Sequence, residues 1–590
     1  SPLFIVKNAL IQTIEKIFGA KEDNVPILPF QKSCEWDYQS AFANKLHAQL
    51  KKTNPEFISK FPTPSLMAKA ASETLKSDFS DLIDKVSVSE QGFLLMTLNS
   101  NFLLEGIQNL LNFGTFIERS EVPQVIVVDF SSPNIAKEMH VGHLRSTIIG
   151  ESICRFFEFQ GNTVHRVNHL GDWGTQFGML IAHLIESYPS FIEEMPNLKD
   201  LETFYKQSKI RFDSDSEFKK RAQGLVVKLQ SGDELCQKAW KVLCDISQQF
   251  YNQIYKRFDI KLDNFGESFY NSMIPVVLNE LKEKELIKED QGAQCIFIPG
   301  KKNPLIVVKS DGGYNYDSTD IAALNYRIKT LKANRIVIIT DVGQYPHFEL
   351  IFAAGKLAGW TQPTNVKLEH MGFGVILGEN GERMKTRGGE TVKLMDLLNE
   401  GKERAKKQLN ERLQTETEGD CFGKQTHLIA EEIDNASEIL SVAAIKYFDL
   451  RLNRIQNYKF DFETMLNQKG DTAVYLMYSY IRLCSIIRKS ELKEVDIISN
   501  SFVFTDESEK LLARHLLKFP DIVNGVISDL DINRLCDYLY TLSVRIAEAY
   551  HCYKILGNEN TKTRVQLIYC CKSIMEKCFY LLGIKTIDRI

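Results

Sequence analysis

The sequence predicts a multidomain protein: a doubly wound α/β domain carrying a helical insertion, preceded by a small α+β domain and followed by an all-α bundle. Three observations predict it. Residues 123–159 run strand, polar loop, helix; strand and helix patterns keep alternating from residue 162 onward; and beyond about residue 411 the pattern is almost wholly helical.

A length of 590 residues implies about three or four domains. With 44% hydrophobic and 25% charged residues the composition is that of an ordinary globular protein. No apolar run reaches the roughly 18 residues that span a bilayer, so no membrane partner is expected. The first 18 residues lack the basic segment and apolar core of a signal peptide. The 12 cysteines are scattered with no C-x-x-C pair, which argues for reduced thiols and against a structural zinc. A net charge of −4 means that any nucleic acid must be held by local basic patches.

Residues 1–121 read as the α+β domain, with helical patterns at 3–18 and 65–76 and an alternating strand at 92–100. From Pro123, PQVIVVDF is an apolar β-branched run typical of a buried parallel strand. The helix pattern LRSTIIGESICRFFEF follows at 144–159 and stops at Gly161. Residues 162–170 read as the second strand. Residues 186–261 break the alternation with charged amphipathic helices, read as an insertion between the two halves of the sheet. Strands resume near 295–298, 304–309 and 335–340, which closes the α/β domain at about residue 410. Residues 411–590 read as the helical bundle.

The chemistry gathers where strands end. His140 and His143 lie three apart at a helix start, where unpaired backbone N–H groups attract phosphate, and Gly142 between them lets a flat ring or a phosphate approach the backbone. Gly171, in GDWGTQFG after the second strand, suits a floor beneath a nucleotide. Tyr316 and Asp320 are four apart and share a helix face. Tyr475, Tyr478 and Arg482 share another, spaced for stacking on bases.

His140-Val141-Gly142-His143 resembles the His-X-Gly-His signature of class I aminoacyl-tRNA synthetases, and Ser132-Pro133-Asn134-Ile135-Ala136-Lys137 before it resembles the arginyl version. The resemblance covers nearly the whole chain. It implies a Rossmann-like class I catalytic domain at 122–410, an N-terminal domain at 1–121 that touches the D-loop of tRNA, and an anticodon-binding domain at 411–590. By the same resemblance Glu267, Tyr316 and Asp320 face arginine, while Asn134, His140 and Gln344 hold its backbone end; His347 ranks below Gln344. Gly142, His143, Gly171, Met384 and Arg387 are implied at ATP, and Asn101, Phe102 and Tyr478 at tRNA. The second class I signature is altered: Met384-Lys385-Thr386-Arg387 has Thr386 where a lysine is usual, and Lys137 is the implied substitute. Lys137, His140, His143 and Lys385 are then the catalytic set.

The resemblance further implies activation of L-arginine by ATP, with Mg²⁺ carried on the nucleotide, transfer to the tRNA for arginine, activation that needs bound tRNA, and a cytoplasmic location. The alternative is a catalytically inactive synthetase-like tRNA-binding or scaffold protein.

Overall fold

The computed structural model describes all residues except 22–24, 30–35, 116–118, 120–121, 195, 197–200, 379, 386–390, 416–428, 500 and 590. The chain divides into two compact units. One holds residues 1–118, 468–580 and 586–590; the other holds 119–467 and 581–585.

In the first unit, the strands Ile27–Pro29, Tyr38–Ser40, Leu94–Leu98 and Ile83–Val88 form an antiparallel sheet in that spatial order. The helices Pro2–Phe18 and Pro64–Asp78 bury Leu10, Ile14, Ala71 and Leu75 in its core. The C-terminal helices join this core: Leu517 and Phe504 pack against it, and the buried Tyr38 hydroxyl donates to Asp521 Oδ2 across 2.8 Å. The sequence divides these stretches into two domains, whereas their contacts make one unit. The bond that joins them links residues 483 apart and leaves no local pattern.

The second unit is built on five strands: β1 (Val125–Asp129), β2 (Thr163–Asn168), β3 (Asp263–Asn264), β4 (Arg335–Asp341) and β5 (Lys367–Phe373). All neighbours are parallel and the order is β5-β4-β1-β2-β3. The chain therefore moves outward in one direction from β1 through β2 to β3, then returns to β1's other side with β4. Loops leaving the carboxyl ends of β1 and β4 part at this reversal, the usual ligand crevice of such sheets. Helix α1 (Val141–Phe159) follows β1 and is buried along most of its length. A Cβ on Gly150 would overlap the Phe130 ring, so glycine permits this close approach. The inserted helices Leu201–Ser214, Ser216–Gln230 and α2 (Glu234–Phe258) come between β2 and β3.

Two of the expected strands lie elsewhere. Ala293–Ile296 and Leu305–Val308 pair antiparallel with each other, and Ile287–Asp290 pairs with Ala293–Ile296, in a separate three-stranded sheet. The two-residue turn Gln291-Gly292, with φ of 47° and 80°, folds Ala293–Ile296 back on Ile287–Asp290 as a hairpin, and Leu305–Val308 adds to its other edge. The domain boundary expected at 410/411 falls inside the helix Leu394–Thr415. The next helix, Ala430–Leu450, belongs to the sheet's unit, where Asp449 pairs with the buried Arg145 of α1 at 3.0 Å. No helix among the described residues is long and apolar enough to cross a membrane.

Candidate active site

The two signature histidines start α1 and cap it. His140 is the N-cap: its Nδ1 accepts the Gly142 N–H at 3.0 Å, and His143 Nδ1 accepts the His140 N–H at 3.2 Å. The rings lie 4.1 Å apart between centroids. A Cβ on Gly142 would sit 2.7 Å from His140 Cε1, so the flat ring that glycine admits here is His140's own. An imidazole whose Nδ1 accepts a backbone N–H carries its proton on Nε2. Burial lowers the His140 pKa, and burial with the neighbouring His140 lowers that of His143 to about 3. Both are neutral rings with an Nε2–H left to donate. Capping thus occupies Nδ1 of each ring and leaves Nε2–H as the remaining donor.

Asn134 is exposed in the loop after β1 and bridges in parallel to Gly171, the first residue of the glycine-rich turn after β2. The Ile135 N–H donates to Gly171 O and the Gly171 N–H to Pro133 O, both at 3.1 Å. A Cβ on Gly171 would overlap the Asn134 amide oxygen. The next residue, Asp172, accepts from the Ser268 N–H at 2.8 Å and the Ser268 hydroxyl at 2.6 Å. A Cβ on Gly266 would overlap its carboxylate. The turn after β2 is thereby tied to Gly266-Glu267-Ser268 after β3. Burial, then the nearby Asp172 and Asp320, raise the Glu267 pKa to about 7.

Asp320 lies one turn into helix α3 (Tyr316–Lys329), which Asn315 caps through the Ser318 N–H at 3.2 Å. Its Oδ2 is 2.7 Å from Nε2 of His347, in helix α4 (Tyr345–Leu357), and its Oδ1 is 3.7 Å from Nε2 of His169. His347 Nδ1 reaches Asp317 Oδ1 at 3.2 Å. Burial opposes charge on His347, yet hydrogen bonds to Asp317 and Asp320 carry its pKa up to about 9. Tyr316 is 64% exposed, its ring edge-on to His347 at 5.1 Å. Gln344 is exposed in the 3₁₀ turn Val342–Gln344 after β4. Asp172, Glu267 and Asp320 thus gather at the carboxyl edge of the sheet, with His347 bound into the group.

After β5, the short strand Ile376–Leu377 leads to Met384, whose N–H donates to Ile376 O at 3.2 Å, and to the exposed Lys385, which bridges Thr391. The strand-like return continues to Lys393, which bridges His140, so this loop closes beside the histidines. Thr386 and Arg387 lie outside the described residues.

A family model described as tRNA synthetases class I (R), catalytic domain, matches residues 106–462. The chain belongs to the arginyl-tRNA synthetase family. A second model, the DALR anticodon binding domain, matches residues 476–590 of this synthetase. The chain is 42% identical over 562 residues to the cytoplasmic arginine–tRNA ligase of Arabidopsis thaliana, covering 94% of this chain and 92% of that one. It is also 42% identical to the chloroplastic/mitochondrial ligase of the same plant, covering 94% and 85%. The crystal structure of arginyl-tRNA synthetase from Plasmodium falciparum is similar with a TM-score of 0.85 at 36% identity, covering 100% and 99%. These likenesses over nearly whole chains support the ligase and not the inactive scaffold.

The synthetase's other expected contacts lie in the first unit. Asn101 is exposed in the first turn of the helix Ser100–Phe113, whereas Phe102 is half-buried and packs against the core. Tyr478 is half-buried on the helix Ala473–Lys489; Tyr475 packs on Tyr540, and Arg482 stands over the Tyr550 ring. Sequence reading missed Asp172, Asp317 and the pairing role of His347. Only the GDWG turn hinted at the first, and the i, i+3 spacing of Asp317 and Asp320 at the others.

Proposed function

We propose that this arginine–tRNA ligase uses the edge of its parallel sheet for both half-reactions, with a division of labour among its side chains. Glu267 and Asp320 pair the guanidinium of L-arginine, a planar cation with five donors that demands buried carboxylates, and Tyr316 covers it. Asn134, His140 and Gln344 hold its α-amino and carboxylate end. The arginine carboxylate oxygen attacks the α-phosphorus of ATP in line, the bond to the β-phosphate oxygen breaks, and pyrophosphate leaves arginyl-adenylate. His140 and His143 donate from Nε2 to phosphate oxygens, and Lys137, Lys385 and Arg387 add positive charge as negative charge shifts to the leaving group. Gly142, Gly171 and Met384 line the nucleotide's place. In the second step a hydroxyl of the tRNA's terminal ribose attacks the arginyl carbonyl and AMP leaves.

Mg²⁺ carried with ATP adds charge neutralisation on the phosphates when bound; among the described residues no group of three His, Cys, Asp or Glu side chains is arranged to hold a metal. Asn101, Phe102 and Tyr478 are the proposed contacts to the tRNA for arginine. A cytoplasmic location is supported by the cytoplasmic relative and by the free thiols of the described cysteines.

The observation that carries this reading is the acidic group around Glu267 and Asp320, set at the same sheet edge as the helix start with its two neutral histidines. Lysine and citrulline would each leave a carboxylate unpaired, at a cost of several kcal/mol, roughly 2–5. The test is ATP–pyrophosphate exchange with each amino acid, with and without the tRNA for arginine. Exchange is expected with arginine alone among amino acids, and only when that tRNA is present. Exchange driven by another amino acid would overturn the specificity, and exchange without tRNA would overturn the tRNA requirement.

A further inference from the structure

We propose that helix α2 of the insertion clasps the signature loop, with Ser247 and Tyr251 acting as positioning residues for Asn134 and Lys137. The loop needs holding. Ser131, Ser132 and Ala136 have φ of 76°, 50° and 61°, a left-handed backbone that residues with a Cβ disfavour and that persists only where the surroundings impose it.

One stripe of α2 supplies much of that constraint. Ser247, Tyr251 and Tyr255 recur every four residues, which aligns them on a single face of the helix. The Ser247 hydroxyl donates to Leu243 O at 2.7 Å, which turns its lone pair toward the Ala136 N–H, 3.0 Å away. The Tyr251 hydroxyl lies 2.6 Å from Asn134 O and 3.0 Å from Lys137 O, so one proton serves two carbonyls and fixes their separation. Tyr255 meets Ser131 Oγ at 2.8 Å. Burial raises the pKa of both phenols, so each keeps its proton at neutral pH. The helix is itself anchored at its far end, where Arg257 donates to Glu438 at 2.7 and 2.9 Å and to Leu398 O at 3.0 Å.

Tyr251 is wholly buried and touches backbone carbonyls of the loop, not side chains that meet substrate. It therefore acts through the loop. The inference rests on the proposed roles of Asn134 at arginine and Lys137 at the phosphates.

The test compares the full-length chain with Tyr251→Phe and Ser247→Ala. Pyrophosphate exchange is measured per active site counted by burst titration, and amide hydrogen exchange is followed in the peptide 131–139. In Tyr251→Phe, kcat per site should fall about tenfold and arginine KM should rise about fivefold, while ATP KM stays within about twofold, as expected for a small misplacement of reacting groups. The peptide 131–139 should exchange faster. Ser247→Ala should shift the same readings in the same direction, and it carries the test alone if Tyr251→Phe does not fold. Fewer active sites at unchanged kcat and unchanged loop exchange would overturn the clasp, leaving these residues structural only. A wild-type chain without arginine-dependent exchange would overturn the functional reading itself, whereas normal wild-type exchange with unaffected variants overturns the clasp alone.

Discussion

His347 stands between two carboxylates one helical turn apart, with Nε2 2.7 Å from Asp320 Oδ2 and Nδ1 3.2 Å from Asp317 Oδ1. A ring that donates from both nitrogens is an imidazolium. It holds one oxygen of Asp320, while the other lies 3.7 Å from Nε2 of His169.

The charge on His347 stabilises the folded state, and the pH window follows from its pKa. That value rises from about 6.5 in the unfolded chain to about 9 in the folded one. The stabilisation is therefore complete below about pH 6.5 and is lost as pH rises through about 9. Thermal unfolding of wild type and His347→Gln should differ most near about pH 6 and converge near about pH 9.5. A constant gap would mean that His347 is not the titrating group.

Glu267 titrates with the opposite consequence for arginine. Its carboxyl is held neutral up to about pH 7 by burial and by Asp172 and Asp320, and only its ionised form pairs with a guanidinium. The kcat/KM for arginine reports the free enzyme, so it should rise about tenfold per pH unit below about pH 7 and level off above. Glu267→Gln should erase that inflection and lower the plateau by about a hundredfold. An inflection that survives the substitution belongs to another group.

Gly171→Ala separates the site from the fold. The new Cβ would overlap the Asn134 side chain, which is exposed and can swing away. The melting temperature should change by no more than about 2 °C, while arginine KM rises about tenfold or more because the amide has left its place. A stability loss with unchanged arginine KM would show that Asn134 does not contact arginine.

Features legible in the sequence are those with a local signal. PQVIVVDF read as a buried strand because a parallel strand covered on both faces is a continuous apolar run, and β1 lies within it. The His-Val-Gly-His start of α1 was readable because capping, glycine and helix period coincide within four residues. Features fixed by distant partners were not. Asp172 and Ser268 are 96 residues apart and Arg145 and Asp449 are 304 apart, so neither pair imposes a period on its neighbourhood. Phe102 shows the same limit: it is half-buried against a core whose buried residues run from Val6 to Leu103, and nothing in its immediate sequence neighbourhood announces that packing.

Lys137 offers the sharpest test of how this synthetase manages with Thr386 in its second signature. The ammonium group is exposed, 4.8 Å from the centre of the Tyr205 ring on the helix Leu201–Ser214. A cation over a ring at an exposed site gains only about 0.5–1 kcal/mol, less than a charge-assisted bond to a phosphate oxygen at about 1.5–3 kcal/mol. Polyphosphate should therefore draw the lysine from Tyr205 at little cost. In the proposed role its charge counts most when negative charge builds on the leaving pyrophosphate, so Lys137→Ala should lower kcat for exchange by about a hundredfold while arginine KM stays within about threefold. Tyr205→Leu removes only the resting contact and should change kcat by less than about threefold. Steady-state exchange with the two variants side by side decides the matter: equal effects would make the ring contact the function of Lys137, and a rise in arginine KM without loss of kcat would move the lysine from the phosphates to the amino acid.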